Sequence, residues 1–253
     1  MDVVEVQAML DHEDRHWWYR GRRRIVQDEL AQLPVPPDAR VLDAGCGSGR
    51  LLDELTVYGS VSGLDMNPDS VEVARGRGHA DVQQGAVESL PWEDETFDLI
   101  TSLDVIEHTA DDRVSMRELR RVLAPGGRLL ITVPAYKALW SSHDVFNRHY
   151  RRYDRRMMRS LAADVDLRIE RMTYFNSLLL PPAAVVRWLQ RPRLRSAEAA
   201  VANGNDAHRS DVELTPQWLS PTLELALRLE GAWLRGGERV IPAGLSLLAV
   251  LRR

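Results

Sequence analysis

Two features between residues 41 and 65 have the types and spacing to hold a ligand. Val41-Leu42-Asp43-Ala44-Gly45-Cys46-Gly47-Ser48-Gly49 carries a short apolar run straight into alternating glycines. Glycines at such a point let the backbone approach a bound molecule closely. A helix starting at Arg50 would add free N–H groups and a positive dipole end, which favour an anion. Asp65 closes the next apolar run, Val61–Leu64, where a carboxylate can accept hydrogen bonds from both hydroxyls of a ribose. Together they describe a seat for an adenosine-like ligand. A dinucleotide fingerprint, G-x-G-x-x-G, would need a third glycine at position 50, which is Arg50. The Gly-Lys-Ser or Gly-Lys-Thr of a phosphate loop is absent. Asp43 would repel a pyrophosphate and tolerate a ligand carrying an ammonium and a sulfonium.

Strand and helix must alternate to place these residues, and they do from residue 40 to 134. Apolar runs at Arg40–Leu42, Val61–Leu64, Phe97–Leu103 and Arg128–Val133 read as strands, and the polar Asp81–Gln84 as a further one. Helices are predicted over Arg50–Leu55, from Asn67–Pro68 to Gly76 or Gly78, and over Asp111–Leu123. Asn67 is a good N-cap and Pro68 suits the first helical position. Pro125-Gly126-Gly127 reads as a turn. The alternation predicts an α/β fold, a largely parallel sheet covered on both faces. Leu167–Thr173 and Leu245–Leu251 are two further strands, and Ser220–Trp233 a further helix. Residues 1–33 read as helical and stop at Pro34, Pro36 and Pro37. Arg191–Thr215, rich in Arg, Ala, Asn, Asp and Ser, reads as a mobile loop.

The chain resembles the class I S-adenosylmethionine-dependent methyltransferases, near the small-molecule branch of the ubiquinone-biosynthesis type. Asp43–Gly49 is similar to the first motif of that family, and Asp65 to its ribose-binding acid. Leu90-Pro91-Trp92 with Thr96–Ile100 resembles the segment entering the fourth strand. Ser102–His108 resembles the motif after it, and Arg120–Leu123 with Pro125-Gly126-Gly127 the turn into the fifth. The resemblance implies a Rossmann-like seven-stranded, mostly parallel sheet, with a helical lid over residues 1–37 and the methyltransferase domain over 38–253. That domain would carry a helical and loop insert at about 177–244. The implied cofactor is S-adenosyl-L-methionine. Asp43, Ala44, Gly45, Cys46 and Gly47 would face its methionine part, Asp65 its ribose and Met66 its adenine. Leu103 and His108 would flank the methionine end. The family often has an acid where this chain has Ala86, so backbone groups of Ala86 and Val87 would meet the adenine instead, with Glu88 as a substitute. Met66 is equally readable as core, and Cys46 as a small inert neighbour.

His12-Glu13-Asp14-Arg15-His16 spells the H-E-x-x-H of zinc hydrolases. It lies in a polar segment with no third ligand, so no metal site is expected. Trp17, Trp18 and Tyr19 could cover a sulfonium, since a cation is favoured over an aromatic face. Arg20, Arg23 or Arg24 could then pair with the methionine carboxylate. The same aromatics could simply dock the helix. After the fifth strand, His143 and His149 are candidate general bases, with His108 as an alternative; a carboxylate acceptor would need none. The arginines from Arg148 to Arg159 would suit an anionic acceptor, or form a solvated face balanced by Asp154 and Asp164. The apolar stretch 174–189 suits a lipid-like acceptor, a dimer face or contact with a membrane surface. Oligomeric state stays open.

Composition limits the partners. The 253 residues carry a net charge of -4, giving no electrostatic case for nucleic acid. One cysteine excludes an intrachain disulfide, and the N-terminus lacks a signal-peptide pattern, so a cytoplasmic protein is expected. The acceptor, small or lipid-like, and its reacting atom (oxygen, nitrogen or carbon) stay open. So do two other readings, a nicotinamide-dependent oxidoreductase and a cofactor-binding module without catalysis.

Overall fold

The computed structural model describes residues 16–190, 219–236 and 239–253. Strand β1 (Ala39–Ala44) is buried at every position but Arg40, as a strand covered on both faces should be. It pairs in parallel with β2 (Gly59–Asp65) and, on its other side, with the later strand Phe97–Leu103. The short β3 (Val82–Gln84) extends the β2 edge. Beyond β4 (Phe97–Leu103) lies β5 (Leu123–Pro134), also parallel. Two strands follow in the chain, β6 (Arg168–Phe175) and β7 (Ser246–Arg252). β7 lies between β5 and β6 and runs antiparallel to both. The seven-stranded order is therefore β3-β2-β1-β4-β5-β7-β6. Chain order reverses between β1 and β4, the point at which open α/β sheets bind ligands outside the carboxyl ends of their strands. The expected mostly parallel sheet is present.

Helices α1 (Trp17–Leu30), α2 (Arg50–Leu55), α3 (Pro68–Gly76), α4 (Asp112–Val122), α5 (Ser142–Phe146), α6 (Arg155–Asp164), α7 (Leu180–Gln190) and α8 (Ser220–Leu234) complete the described architecture. The α3 start follows its sequence signature: Asn67 Oδ1 accepts the Asp69 N–H at 2.9 Å, and Pro68 stands first in the helix. One turn proves to be part of a strand. Phe97 pairs with Leu123, but Leu99 pairs with Arg128, so Ala124–Gly127 bulges within β5. Gly126 has φ +80° there, and a Cβ on Gly127 would meet Ala124 O at 2.9 Å.

α1 is strapped down. A Cβ on Gly21 would lie 2.2 Å from Leu227 Cδ1 of α8, so the two helices approach backbone to side chain. Arg20 pairs with Glu224 at 3.1 Å, and Asp28 with Arg235 at 3.2 Å. Buried Glu29 pairs with Arg171 of β6 at 2.7 Å. Farther on, Tyr174 and Phe175 finish β6 in the core, so the apolar surface expected over 174–189 begins at Leu178. Val185, Trp188 and Leu189 of α7 are exposed. Among the described residues no helix is long and apolar enough to cross a membrane. The loop expected at Arg191–Thr215 lies outside the described residues, as do His12 and Glu13 of the H-E-x-x-H run.

Candidate functional site

The chain leaves β1 through Gly45 (φ +89°), Gly47 (φ +53°) and Gly49 (φ +79°), conformations that strain any residue with a Cβ. At Gly45 a Cβ would also fall 2.3 Å from Val105 Cγ2, the residue two beyond β4. The turn is pinned to β2. Gly45 and Cys46 donate their N–H groups to Leu64 O at 2.7 and 2.9 Å. Gly47 N–H donates to Asp65 Oδ2 at 2.8 Å, and Asn67 N–H to Asp65 Oδ1 at 2.9 Å. Asp65 thus holds the turn and the α3 entrance together. An ionised carboxylate has about four acceptor positions, so two amides leave room for two ligand hydroxyls.

Under the turn, Asp43 is buried and accepts a 2.6 Å hydrogen bond from Thr101 Oγ1. Burial pushes its carboxyl up to about 7, against the Thr101 hydrogen bond and the Arg22 charge, with Asp65 raising it further. Ala44 is fully buried. Cys46 packs with Leu52, Val71, Ala74 and Val82. Burial, then the charges of Asp43 and Asp65, push its thiol far above the usual range, so it stays protonated and inert. Met66 is 73% exposed at the rim, which removes its reading as a core residue. Beside it, Gly85 N–H bonds to Asp65 O at 3.0 Å, leading into half-buried Ala86 and buried Val87. Leu103, ending β4, is half-buried.

α1 closes one side. His16 caps it, its Nδ1 accepting the Trp18 N–H at 3.2 Å. Trp17 is buried in the core, so this first aromatic docks the helix. Trp18 is half-buried, with Tyr19 set edge-on at 4.9 Å between ring centroids. The arginine facing the site is Arg22, which sequence reasoning passed over. It lies 5.3 Å from the Trp18 ring centroid and pairs with Asp104 at 2.8 Å. Arg20 pairs with Glu224 and Arg23 with Glu54, while Arg24 is exposed. The reason is helical phase, because Arg24 sits about 200° around the helix from Arg22 at 3.6 residues per turn.

Past Asp104 a tight turn, Ile106–His108, meets the segment after β5. Tyr150 N–H donates to Glu107 O at 2.8 Å. The His149 and His108 rings stand edge to face at 4.6 Å, and His143 lies 6.0 Å from His149. His149 Nδ1 lies 3.0 Å from Asp144 Oδ1. Arg152 clamps that carboxylate with two bonds, 2.7 and 2.9 Å, and Ser141 N–H adds a third at 2.8 Å. Burial pushes Asp144 upward, but hydrogen bonds and charge from His149 and Arg152 outweigh it and hold the carboxyl below its usual range. Partial desolvation, then the nearby His149, lowers His108, although its side chain reaches the surface. Glu107 is completely buried, and neither carboxylate oxygen has a hydrogen-bond partner among the described residues. Burial first, then Asp104, drives it well above the ordinary carboxyl value.

Three of the six arginines from Arg148 to Arg159 are tied up within the protein, while Arg148, Arg156 and Arg159 are exposed. Arg151 pairs with Asp112 at 3.1 Å, Arg152 with Asp144, and Arg155 stacks over Tyr174 at 5.4 Å. Asp154 caps α6, and Asp164 pairs with Arg113. Asp104, Glu107, Asp144 and Arg22 were not among the sequence candidates. The available signal was the Glu107-His108 pair immediately after a strand.

Residues 42–131 match a family model described as a methyltransferase domain. Over 101 residues the chain is 37% identical to the ubiquinone biosynthesis O-methyltransferase of Xanthomonas oryzae pv. oryzae, covering 37% of this chain and 42% of that protein. Over 133 residues it is 32% identical to the enzyme of that name from Methylocella silvestris, covering 50% of each. The chain thus spans about half the length of these curated relatives, or less. Among solved structures, an S-adenosylmethionine dependent methyltransferase from Mesorhizobium loti shares the fold, with a TM-score of 0.59 at 16% identity over 95% of this chain and 99% of that one.

Proposed function

We propose, from the match of residues 42–131 to the methyltransferase domain model, that the chain transfers a methyl group from S-adenosylmethionine to a small-molecule or lipid-like acceptor. The observation that carries this reading is the glycine turn bound to Asp65 at the sheet's point of reversal. The residues present fit the cofactor. The positive φ of Gly45, Gly47 and Gly49 lets the turn's backbone approach the ligand closely, and Asp65 keeps acceptor capacity for ribose hydroxyls. Exposed Met66 offers an apolar face for adenine, with backbone groups of Ala86 and Val87 beside it. Arg22, held in place by its pair with Asp104, has further N–H donors for the methionine carboxylate, and Asp43 favours a positively charged ligand above it. Trp18 and Tyr19 lie on the helix that would shield the sulfonium from water. When bound, the cofactor supplies a methyl carbon on a cationic sulfur.

The chain's remaining task is to hold the acceptor atom about 3 Å from that carbon, because proximity provides most of the acceleration in such a displacement. His149 is the best-oriented group on this side, with one ring nitrogen fixed by Asp144. Exposed Val185, Trp188 and Leu189 favour an apolar or lipid-like acceptor, or the membrane surface that delivers it. Isothermal calorimetry with the cofactor and with its demethylated product tests the reading. A dissociation constant near 1 μM, about 8 kcal/mol, is expected. Silence with both compounds, alongside binding of NADH, would replace the proposal with the oxidoreductase.

A further inference from the structure

We propose that Glu107, His108 and His149 form a binding site for one divalent transition-metal ion. A donor atom from each of the three lies within 4.8 Å of the others. Glu107 is the telling member: completely buried, it has both carboxylate oxygens unpartnered among the described residues. A buried polar group in that condition is costly, and a bound cation satisfies it. His149 is prepared for the ion from behind. Its Nδ1 is committed to Asp144, itself fixed by Arg152 and Ser141, which leaves Nε2 as the coordinating atom. This carboxylate–histidine–metal arrangement orients metal-binding imidazoles in general. The nearby cations do not oppose the ion strongly, because Arg152 is neutralised by Asp144 and Arg22 by Asp104.

Two imidazoles and one carboxylate suit Zn²⁺, Fe²⁺ or Mn²⁺ better than Mg²⁺ or Ca²⁺, which prefer all-oxygen shells. Tetrahedral donors at bonds of about 2.1 Å stand roughly 3.4 Å apart, so loading draws the three together by about an ångström. His108 is exposed and is the side chain placed to move. Three protein donors leave at least one position for water or a substrate oxygen. Use of that position in methyl transfer rests on the function proposed above; binding of the ion does not.

The full chain, stripped with a chelator, is titrated by calorimetry with ZnCl₂, MnCl₂ and MgCl₂ without cofactor or acceptor, and Mn²⁺ is followed in parallel by electron paramagnetic resonance. One Zn²⁺ or Mn²⁺ per chain at micromolar affinity or tighter is expected, weakened at least tenfold in His108→Ala and in Glu107→Gln. His108→Ala lies at the surface and should melt with the stripped wild type, which keeps the test interpretable if Glu107→Gln misfolds. Equal titrations of wild type and His108→Ala, or no Zn²⁺ or Mn²⁺ binding, would overturn the site; Mg²⁺ binding as tight as Zn²⁺ would overturn the ion assigned. S-adenosylmethionine is titrated into the same stripped sample. Cofactor binding without metal binding removes this inference alone, and metal binding without cofactor binding removes the methyltransferase reading.

Discussion

Replacing Asp65 should separate a ligand contact from a structural one. Its carboxylate accepts the Gly47 and Asn67 amides at 2.8 and 2.9 Å, and two acceptor positions remain for ribose hydroxyls. A hydrogen bond to a charged group contributes about 1.5–3 kcal/mol, so losing two from the ligand removes at least about 3 kcal/mol. That is roughly a hundredfold in the dissociation constant of the demethylated cofactor. Asp65→Ala also frees two loop amides, which should lower stability by about 1–3 kcal/mol in urea. The contributions part company when a 2′,3′-dideoxy analogue is titrated. Wild type should bind the analogue about a hundredfold more weakly than the parent compound, whereas Asp65→Ala should bind both alike. If the variant discriminated between them as wild type does, or bound the parent compound within threefold of wild type, Asp65 would not be the ribose acceptor.

Other substitutions test the frame around it. Gly45→Ala combines a left-handed φ of +89° with overlap on Val105; the two together should cost about 2–4 kcal/mol. Part of that cost should vanish in a Val105→Ala background, which a double-mutant cycle in urea would measure. Asp43 titrates at about 7 when folded instead of 3.8, so the folded state binds the proton more tightly. Stability should therefore fall as pH rises from about 4 to about 7 and level off above, by at most roughly 4 kcal/mol from this group. Asp43→Asn should remove the effect, and melting curves of the two proteins that run parallel across that window would contradict it. Gly21→Ala gains about 1 kcal/mol of helix propensity but drives a methyl into Leu227. Overpacking of that kind costs about 1–3 kcal/mol, so a small net loss is expected by chemical denaturation.

The parts of the fold readable from sequence were those written in local chemistry. A strand meeting glycines, an acid closing the next strand, and Asn67-Pro68 opening a helix each satisfy a constraint within a few residues. What was missed depends on partners far along the chain. Nothing local to Ser246–Arg252 says that it inserts antiparallel between β5 and β6. Arg22 and Arg24 are alike as residues, and only the exact phase of α1 decides which faces the cleft. Trp17 fell to the core and Trp18 to the site side for the same reason. Glu107 escaped notice because charged residues are normally exposed, and only the structure reveals a carboxylate with no exposure at all. The apolar stretch 174–189 looked continuous, yet the end of β6 divides it into core and surface.

The position of β7 has a kinetic corollary. Until residues 246–252 arrive, β5 has a bare flank and β6 has no neighbour at all, although both emerge from the ribosome long before. A nascent chain would then present two unsatisfied edges with apolar faces, the condition in which strands find the wrong partners. Closing the gap joins segments more than 100 residues apart, as the pairing of Arg128 with Arg252 makes plain. Refolding should be slow on that account, and loss of the final strand should yield aggregates, because the gap it fills is flanked by backbone on both sides.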